Sequence, residues 1–432
     1  MERSIKKSLE LWERGKSIIP RGTQTMSKSP NQYVFGVHPI YLERGKGCKV
    51  QDVDGNWYID YPCALGPIIL GYNNKRTIRA VKKQLKMGIT FSLMHPVEVD
   101  LAELIQEIVP CAEQVRYAKN GTDADLACVR IARSYTGKEC ILKPEEHYHG
   151  WGDWHAASTP RDSGIPKCLR EYIETFPYND LDACEEKLKS GKFAGLIMEP
   201  ASLEKPKDGF LEGVRDLCTK YGVVLIFDEV ITGFRWALGG AQEYYGVTPD
   251  IAAMGKAVAN GMPLSIVVGK KEFMKEMDHI FFSMTFGGEA CSLAAAVETI
   301  KEMKEKRFEI FPHIWSQGTR LREAFNKHAR LVGVDAEMFG MAPRHNIRFN
   351  TDDSAGCKDL FHQEMVKRGI LIGTQIYVTW AHKSKHIDKT ILAIKESLAV
   401  VAEAIASGDI NNYLEGTRSI AVFKKQVSVE DK

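Results

Sequence analysis

The segment Val223–Arg235 reads VVLIFDEVITGFR and sets Asp228 directly behind a continuous apolar run. A carboxylate at the C-terminal end of a buried parallel strand lies where α/β proteins bind ligands. An ionised Asp there is costly unless a cation or several donors meet it. A protonated ring nitrogen of a cofactor is one such partner; a helix N-cap or an ion pair with Arg235 is the alternative. Downstream, IAAMGKAVANG (Ile251–Gly261) sets Lys256 among small residues. A lysine in apolar surroundings tends to a lowered pKa, which frees its amine to form a Schiff base; the commoner lysine is a solvated surface group. Upstream, YAKNGTDADLACVR (Tyr117–Arg130) runs from a strand pattern through Gly121-Thr122 into a helix pattern. The first N–H groups of a helix lack internal partners and its dipole favours an anion, so this is a phosphate seat, unless Thr122 is an ordinary N-cap. In HYHGWGDW (His147–Trp154), Tyr148 or His149 can stack on a planar ring. Ser283 and Thr285, in FSMTFGG before a further helix, offer a second phosphate contact or a flexible turn.

No G-x-G-x-x-G follows a strand pattern, and G-x-x-x-x-G-K-[ST] and H-E-x-x-H are missing. Nicotinamide, nucleotide-hydrolysing and zincin readings therefore lack their motifs. No C-x-x-C pair occurs among the ten cysteines, so no metal site is expected. A buried Asp, a Lys in an apolar loop, a Gly-Thr anion seat and an aromatic loop together match the needs of pyridoxal phosphate (PLP).

The elements that must position these residues alternate. Helix patterns cover roughly 76–88, 97–109, 123–135, 180–189 and 211–221, with strand patterns at Val115–Ala118, Cys140–Lys143, Ala194–Met198 and Val223–Phe227. Such alternation predicts an α/β fold with a mostly parallel central sheet flanked by helices. After about 310 the rhythm changes: helices near 314–330, 357–368 and 387–406 surround strands His345–Asn350 and Ile370–Ile372. A helix over 4–15 and a hairpin over Val50–Tyr61, turning at Asp54-Gly55, precede the large domain. The expected organisation is a large domain over 60–310 and a smaller α+β domain built from 1–59 and 311–432, with a loosely held polar tail after 418.

The 432 residues carry 58 Lys+Arg against 56 Asp+Glu, a formal charge of +2, which gives no support to a nucleic-acid binder. No apolar run approaches the roughly 18 residues of a membrane span. The charged N-terminal segment is unlike a secretory signal, and the cysteines suit a reducing compartment, so a cytoplasmic location is expected.

At these residues the chain resembles the class III aminotransferases of the fold type I PLP enzymes, and within them the glutamate-1-semialdehyde aminomutase-like branch. The motifs DVDGNWYIDY, GPIILGYNN, MEP, FDEVITGFR, GAQEYYGVTPDI and GKAVANGMP carry the resemblance from about Ile19 to Asp388. It implies that Lys256 is the Schiff-base lysine and that Asp228 pairs with the pyridinium nitrogen. Val230 would pack on one face of the ring and Tyr148 on the other, with Gly121 and Thr122 on the phosphate and Glu199 near the cofactor. Thr285 would reach the phosphate of the partner subunit, which implies a homodimer with shared active sites. Three positions depart from the aminomutase pattern: Lys28 stands for an arginine that binds the substrate carboxylate, Leu65 for a tryptophan and Ser384 for a glutamate. Lysine is a point charge and lacks the planar fork of arginine. Lys28 and Ser384 are thus the candidate substrate contacts. The expected activity is transfer of an amino group from an amino acid donor, glutamate by resemblance, to an aldehyde or ketone. A 2,1-aminomutase or a PLP epimerase is the alternative, and a non-catalytic protein on this fold a third.

Overall fold

The computed structural model describes residues 3–420, so the tail expected after 418 falls almost wholly outside the described residues. The chain forms two compact units: one from Asn74 to Phe311, the other from the chain up to Asn73 together with the chain from Pro312 onward. The first boundary lies past the expected 59/60 because backbone hydrogen bonds hold the intervening segment. Tyr61 N donates to Leu371 O, Tyr377 N to Tyr61 O and Trp380 N to Ile69 O.

In the unit built from both chain ends, β1 (Leu42–Lys46), β2 (Lys49–Asp52) and β3 (Trp57–Asp60) pair in antiparallel order. The β2–β3 hairpin turns at Asp54-Gly55. Gly55 takes φ +92, and Asp52 Oδ1 accepts from the N–H groups of Asp54 and Asn56.

The unit Asn74–Phe311 holds the strands that matter for chemistry. They are β4 (Gln114–Ala118), β5 (Cys140–Pro144), β6 (Ile173–Phe176), β7 (Phe193–Met198), β8 (Val224–Glu229), β9 (Ile251–Met254) and β10 (Ser265–Gly269). Their order across the sheet is β4-β10-β9-β8-β7-β5-β6. The pairings from β6 to β9 are parallel, and β10 runs against both its neighbours. Every position of β7 and β8 is buried, as the unbroken apolar runs require when both faces of a parallel sheet are covered.

β8 runs beyond the apolar stretch and takes in Asp228 and Glu229, so both acids sit within the strand. Glu229 is fully buried and accepts from Thr232 Oγ1, Ala241 N, Gln242 N and Gln242 Nε2. It thereby ties the segment leaving β8 to its own strand. At the opposite end of the strand, Asp250 Oδ2 accepts from Leu225 N at 2.8 Å. Arg215 and Lys270 pair with the same carboxylate at 2.9 and 2.8 Å.

The smaller unit is completed by β11 (Ala336–Met341), β12 (Arg344–Phe349), β13 (Ile370–Leu371) and β14 (Ile376–Tyr377). β13 joins β3 in parallel, and β11, β12 and β14 form a three-stranded sheet. The helix expected over 314–330 begins earlier, at Arg307, and contains Pro312.

Asp250 is a buried acid that binds two cations and a strand amide at once. Asp250→Ala leaves those groups without a counter-charge, and the expected loss is about 3 kcal/mol of unfolding free energy in urea. A loss below about 1 kcal/mol contradicts this view of the pin.

Candidate active site

Parallel register decides which residues meet. Asp228 stands opposite Ala253 and Glu229 opposite Met254, so the chain leaving β9 reaches Gly255 and Lys256 beside the end of β8. Lys256 is half-buried and takes φ +41, a left-handed conformation uncommon outside glycine and often found at functional sites. Val230 lies between two elements. A Cβ built on Gly121 would come within 3.1 Å of both its methyl groups, and one built on Gly255 within 3.6 Å of its Cγ1. Glycine at 121 is what lets the helix Gly121–Thr136 start this close to Val230.

That helix is capped by Asn120, whose side chain accepts from Asp123 N while the Asp123 carboxylate accepts from Asn120 N. The reading of Thr122 as the N-cap is therefore overturned: it is the second helical residue. Ser265 Oγ donates to Asn120 O at 2.7 Å and fixes the helix start to β10. Thr122 Oγ1 accepts from Trp151 N at 3.3 Å. Gly150, at φ +89, lies so close to Thr122 that a Cβ there would stand 2.4 Å from its Oγ1.

The aromatic loop after β5 divides its labour. His149 is fully buried, and its Nδ1 lies 2.7 Å from Asp228 Oδ2. Its ring edge is thus engaged with the carboxylate, and the ring lies near-parallel to that of Trp154 at 6.3 Å between centroids. Asp228 Oδ1 accepts from Val230 N at 3.0 Å. Tyr148 is 60% exposed and sits edge-on to His155, while its N–H reaches Glu199 Oε1 at 3.4 Å. Lys143, at 3% exposure, donates from Nζ to Pro144 O and His147 O and so pins the loop from below.

Burial sets the charge states. It lowers His149 to about 3, helped by Lys143, and His155 to about 2, helped by His149 and Lys143. Both rings are neutral. Burial also brings the Lys143 amine down to about 8 against the pull of Glu199. Asp125, one turn into the same helix, is pushed well above the usual carboxylate range by burial and then by the Asp228 charge. A carboxylate oxygen of Asp125, a ring nitrogen of His149 and a carboxylate oxygen of Asp228 all lie within 4.8 Å of one another.

The structure thus brings Gly121, Thr122, Tyr148, Glu199, Asp228, Val230 and Lys256 around the C-terminal edge of one sheet. Thr285 lies on a largely exposed segment before the helix Ala290–Glu305. Lys28 and Ser384 are exposed residues of the other unit. Sequence reasoning missed Asp125, Lys143 and the partnership of His149. The signal for Asp125 was a carboxylate sharing a helix face with Cys128 and Ala132.

The family model for aminotransferase class III matches residues 33–331. The chain belongs to the class III aminotransferases. It is 36% identical over 416 residues to the 3-aminobutyryl-CoA aminotransferase of Cloacimonas acidaminovorans, covering 93% of this chain and 99% of that one. It is 33% identical over 424 residues to the glutamate-1-semialdehyde 2,1-aminomutase of Methanothermobacter thermautotrophicus, covering 91% and 99%. Among solved structures it superposes on the FumI protein of Sphingopyxis sp. MTA144, in its PLP internal aldimine form, with a TM-score of 0.88 at 27% identity, over 93% of this chain and 98% of that one. An omega-transaminase from Sphaerobacter thermophilus gives 0.84 at 26% identity, over 92% and 98%.

The enzyme is PLP-dependent and has the fold type I architecture. Its residues fit that group. Asp125 Oδ1 and His149 Nε2 are buried polar atoms with no hydrogen-bond partner, and the two acids beside a neutral histidine call for a cation. A protonated ring nitrogen is such a cation.

Two expectations follow from this geometry. Gly150→Ala forces Thr122 to move, and PLP affinity measured by fluorescence quenching is expected to fall about tenfold, near 1.4 kcal/mol. The buried histidines have folded pKa values below their unfolded ones. Their contribution to stability is therefore full above about pH 6.5 and is lost as pH falls toward 3. His155→Phe is expected to make the loss of stability between pH 6 and 4.5 shallower by about 1.4 kcal/mol per pH unit; identical slopes contradict a neutral buried His155.

Proposed function

We propose that this enzyme transfers an amino group from an amino acid donor, with glutamate as that donor, to an aldehyde or ketone acceptor. The observation that carries the proposal is the convergence of the β8 and β9 ends, which sets Asp228, Val230 and Lys256 side by side next to a helix N-terminus. Bound PLP supplies an aldehyde that captures amines and an electron-withdrawing ring that stabilises negative charge on the substrate carbon.

The protein supplies the rest. Lys256 Nζ holds the cofactor and then, once released, carries the proton from the donor Cα as general base and returns it as general acid. Asp228 keeps a proton on the ring nitrogen, and His149 fixes the orientation of that carboxylate. Val230 and Tyr148 bracket the ring. The N–H groups at Gly121 and Thr122 receive the phosphate, where the helix dipole favours an anion. Glu199 holds the backbone of Tyr148 in place. By resemblance, Thr285 serves the phosphate of the partner subunit in a homodimer, and Lys28 and Ser384 serve the substrate. A cytoplasmic setting suits ten free cysteines.

A second reading, the intramolecular 2,1-aminomutase, is favoured by the 33% identity to aminomutases over most of the chain. Lys28, Leu65 and Ser384 stand against glutamate-1-semialdehyde itself. Steady turnover of that compound with no added donor supports the aminomutase; turnover only with a donor and a separate acceptor supports transamination. Half-reactions with single amines, followed at the cofactor's absorbance bands, identify the donor first. Lys256→Ala is expected to lose the visible band of lysine-bound cofactor and at least about 10³-fold in turnover; a variant with full activity removes Lys256 from its role.

A further inference from the structure

Asp125 has no part in the proposed transfer, yet it is an acid deeply buried in the unit. It lies on the helix face shared with Cys128 and Ala132, at 2% exposure, and its Oδ1 has no hydrogen-bond partner. Asp228 already has a partner at each oxygen, His149 Nδ1 at Oδ2 and Val230 N at Oδ1. Atoms of Asp125 and Asp228 come within 4.8 Å of each other. Two carboxylates so close in a buried site disfavour each other's ionisation, which favours a pair with one shared proton. The groups facing Asp125 are Asp228 from β8, Glu199 from the end of β7, Lys256 after β9, Tyr148 and His149 from the aromatic loop and Cys128 from its own helix. Glu199 and Asp228 oppose its ionisation and Lys256 favours it. His149 is neutral and gives no counter-charge.

We propose that Asp125 is a positioning residue that makes Asp228 half of a two-carboxylate pair holding one proton, and that the pair surrenders this proton to the ring nitrogen as PLP seats. The inference rests on the placement of that nitrogen at Asp228 given above. The balance is simple. One carboxyl O–H bond breaks, its electron pair stays on the oxygen, an N–H bond forms, and nothing is oxidised or reduced. No proton from solvent is needed for this step, and two carboxylates then face one cationic ring. Without Asp125, Asp228 is ionised beforehand and the nitrogen must draw its proton from water.

Calorimetric titration of the cofactor-stripped enzyme with PLP, in two buffers of different ionisation enthalpy at pH 8, counts protons taken up per cofactor. Asp125→Asn is expected to take up more than the parent, by as much as one. Its PLP affinity is expected to fall more steeply between pH 7 and 9, by up to about tenfold per unit. Asp125→Ser is the second variant, should the amide fail to fold. Proton counts equal to the parent's in the Asp125 variants, while Asp228→Asn loses binding, overturn the role of Asp125 alone. PLP binding that is unchanged in Asp228→Asn as well overturns the placement of the ring nitrogen, and this inference with it.

Discussion

A single buried carboxylate governs the architecture around it. Asp228 sits in a strand with no exposed position, so it needs partners at both oxygens and a cation beyond them. The partners come from opposite directions in sequence, His149 from the loop after β5 and Val230 N from the chain just past β8. Each requirement constrains a neighbour. His149 stays neutral in order to be buried, the loop that carries it is pinned by the buried Lys143, and the backbone after Val230 is held by Glu229 with its four donors. Charge at the heart of the site thus dictates where polar groups appear in an otherwise apolar sheet.

The helix start at Gly121 and Thr122, the proposed phosphate end, obeys a different rule. There the chain offers backbone N–H groups and a dipole, and the constraint is steric. Gly121 admits Val230, and Gly150 admits Thr122. The cap belongs to Asn120 and Asp123, so capping is completed without Thr122 and leaves its hydroxyl to the Trp151 amide. The division between a charged end and a steric end matches a ligand that is cationic at one side and anionic at the other.

Much of this was legible in the sequence, for identifiable reasons. Residues 223–227 form an unbroken apolar run set between helix patterns, which reads as a doubly buried strand, and an acid behind such a run stands out. Lys256 stands out among small residues for the same reason. Asp125 did not, because one acid in a helix reads as part of a solvated face until tertiary packing shows that face to be buried. The boundary at 73/74 was hidden because residues 61–73 have little regular structure and are tied by isolated long-range backbone bonds. Thr122 read ambiguously because capping depends on φ and ψ at Asn120, which composition does not encode.

The reversed strand β10 has a mechanical consequence for the lysine. A parallel neighbour would have needed a crossover helix between β9 and β10. Antiparallel pairing lets the chain turn back within residues 255–264, so Ser265 begins its strand at the same edge that β9 leaves. Lys256 is therefore mounted on a short bridge anchored at both ends, with its backbone in a left-handed conformation that leaves little slack. In the proposed mechanism, the travel of the amine between holding the cofactor and shuttling a proton comes from torsions of its own four-carbon stem. The bridge then serves as the pivot and the side chain as the arm.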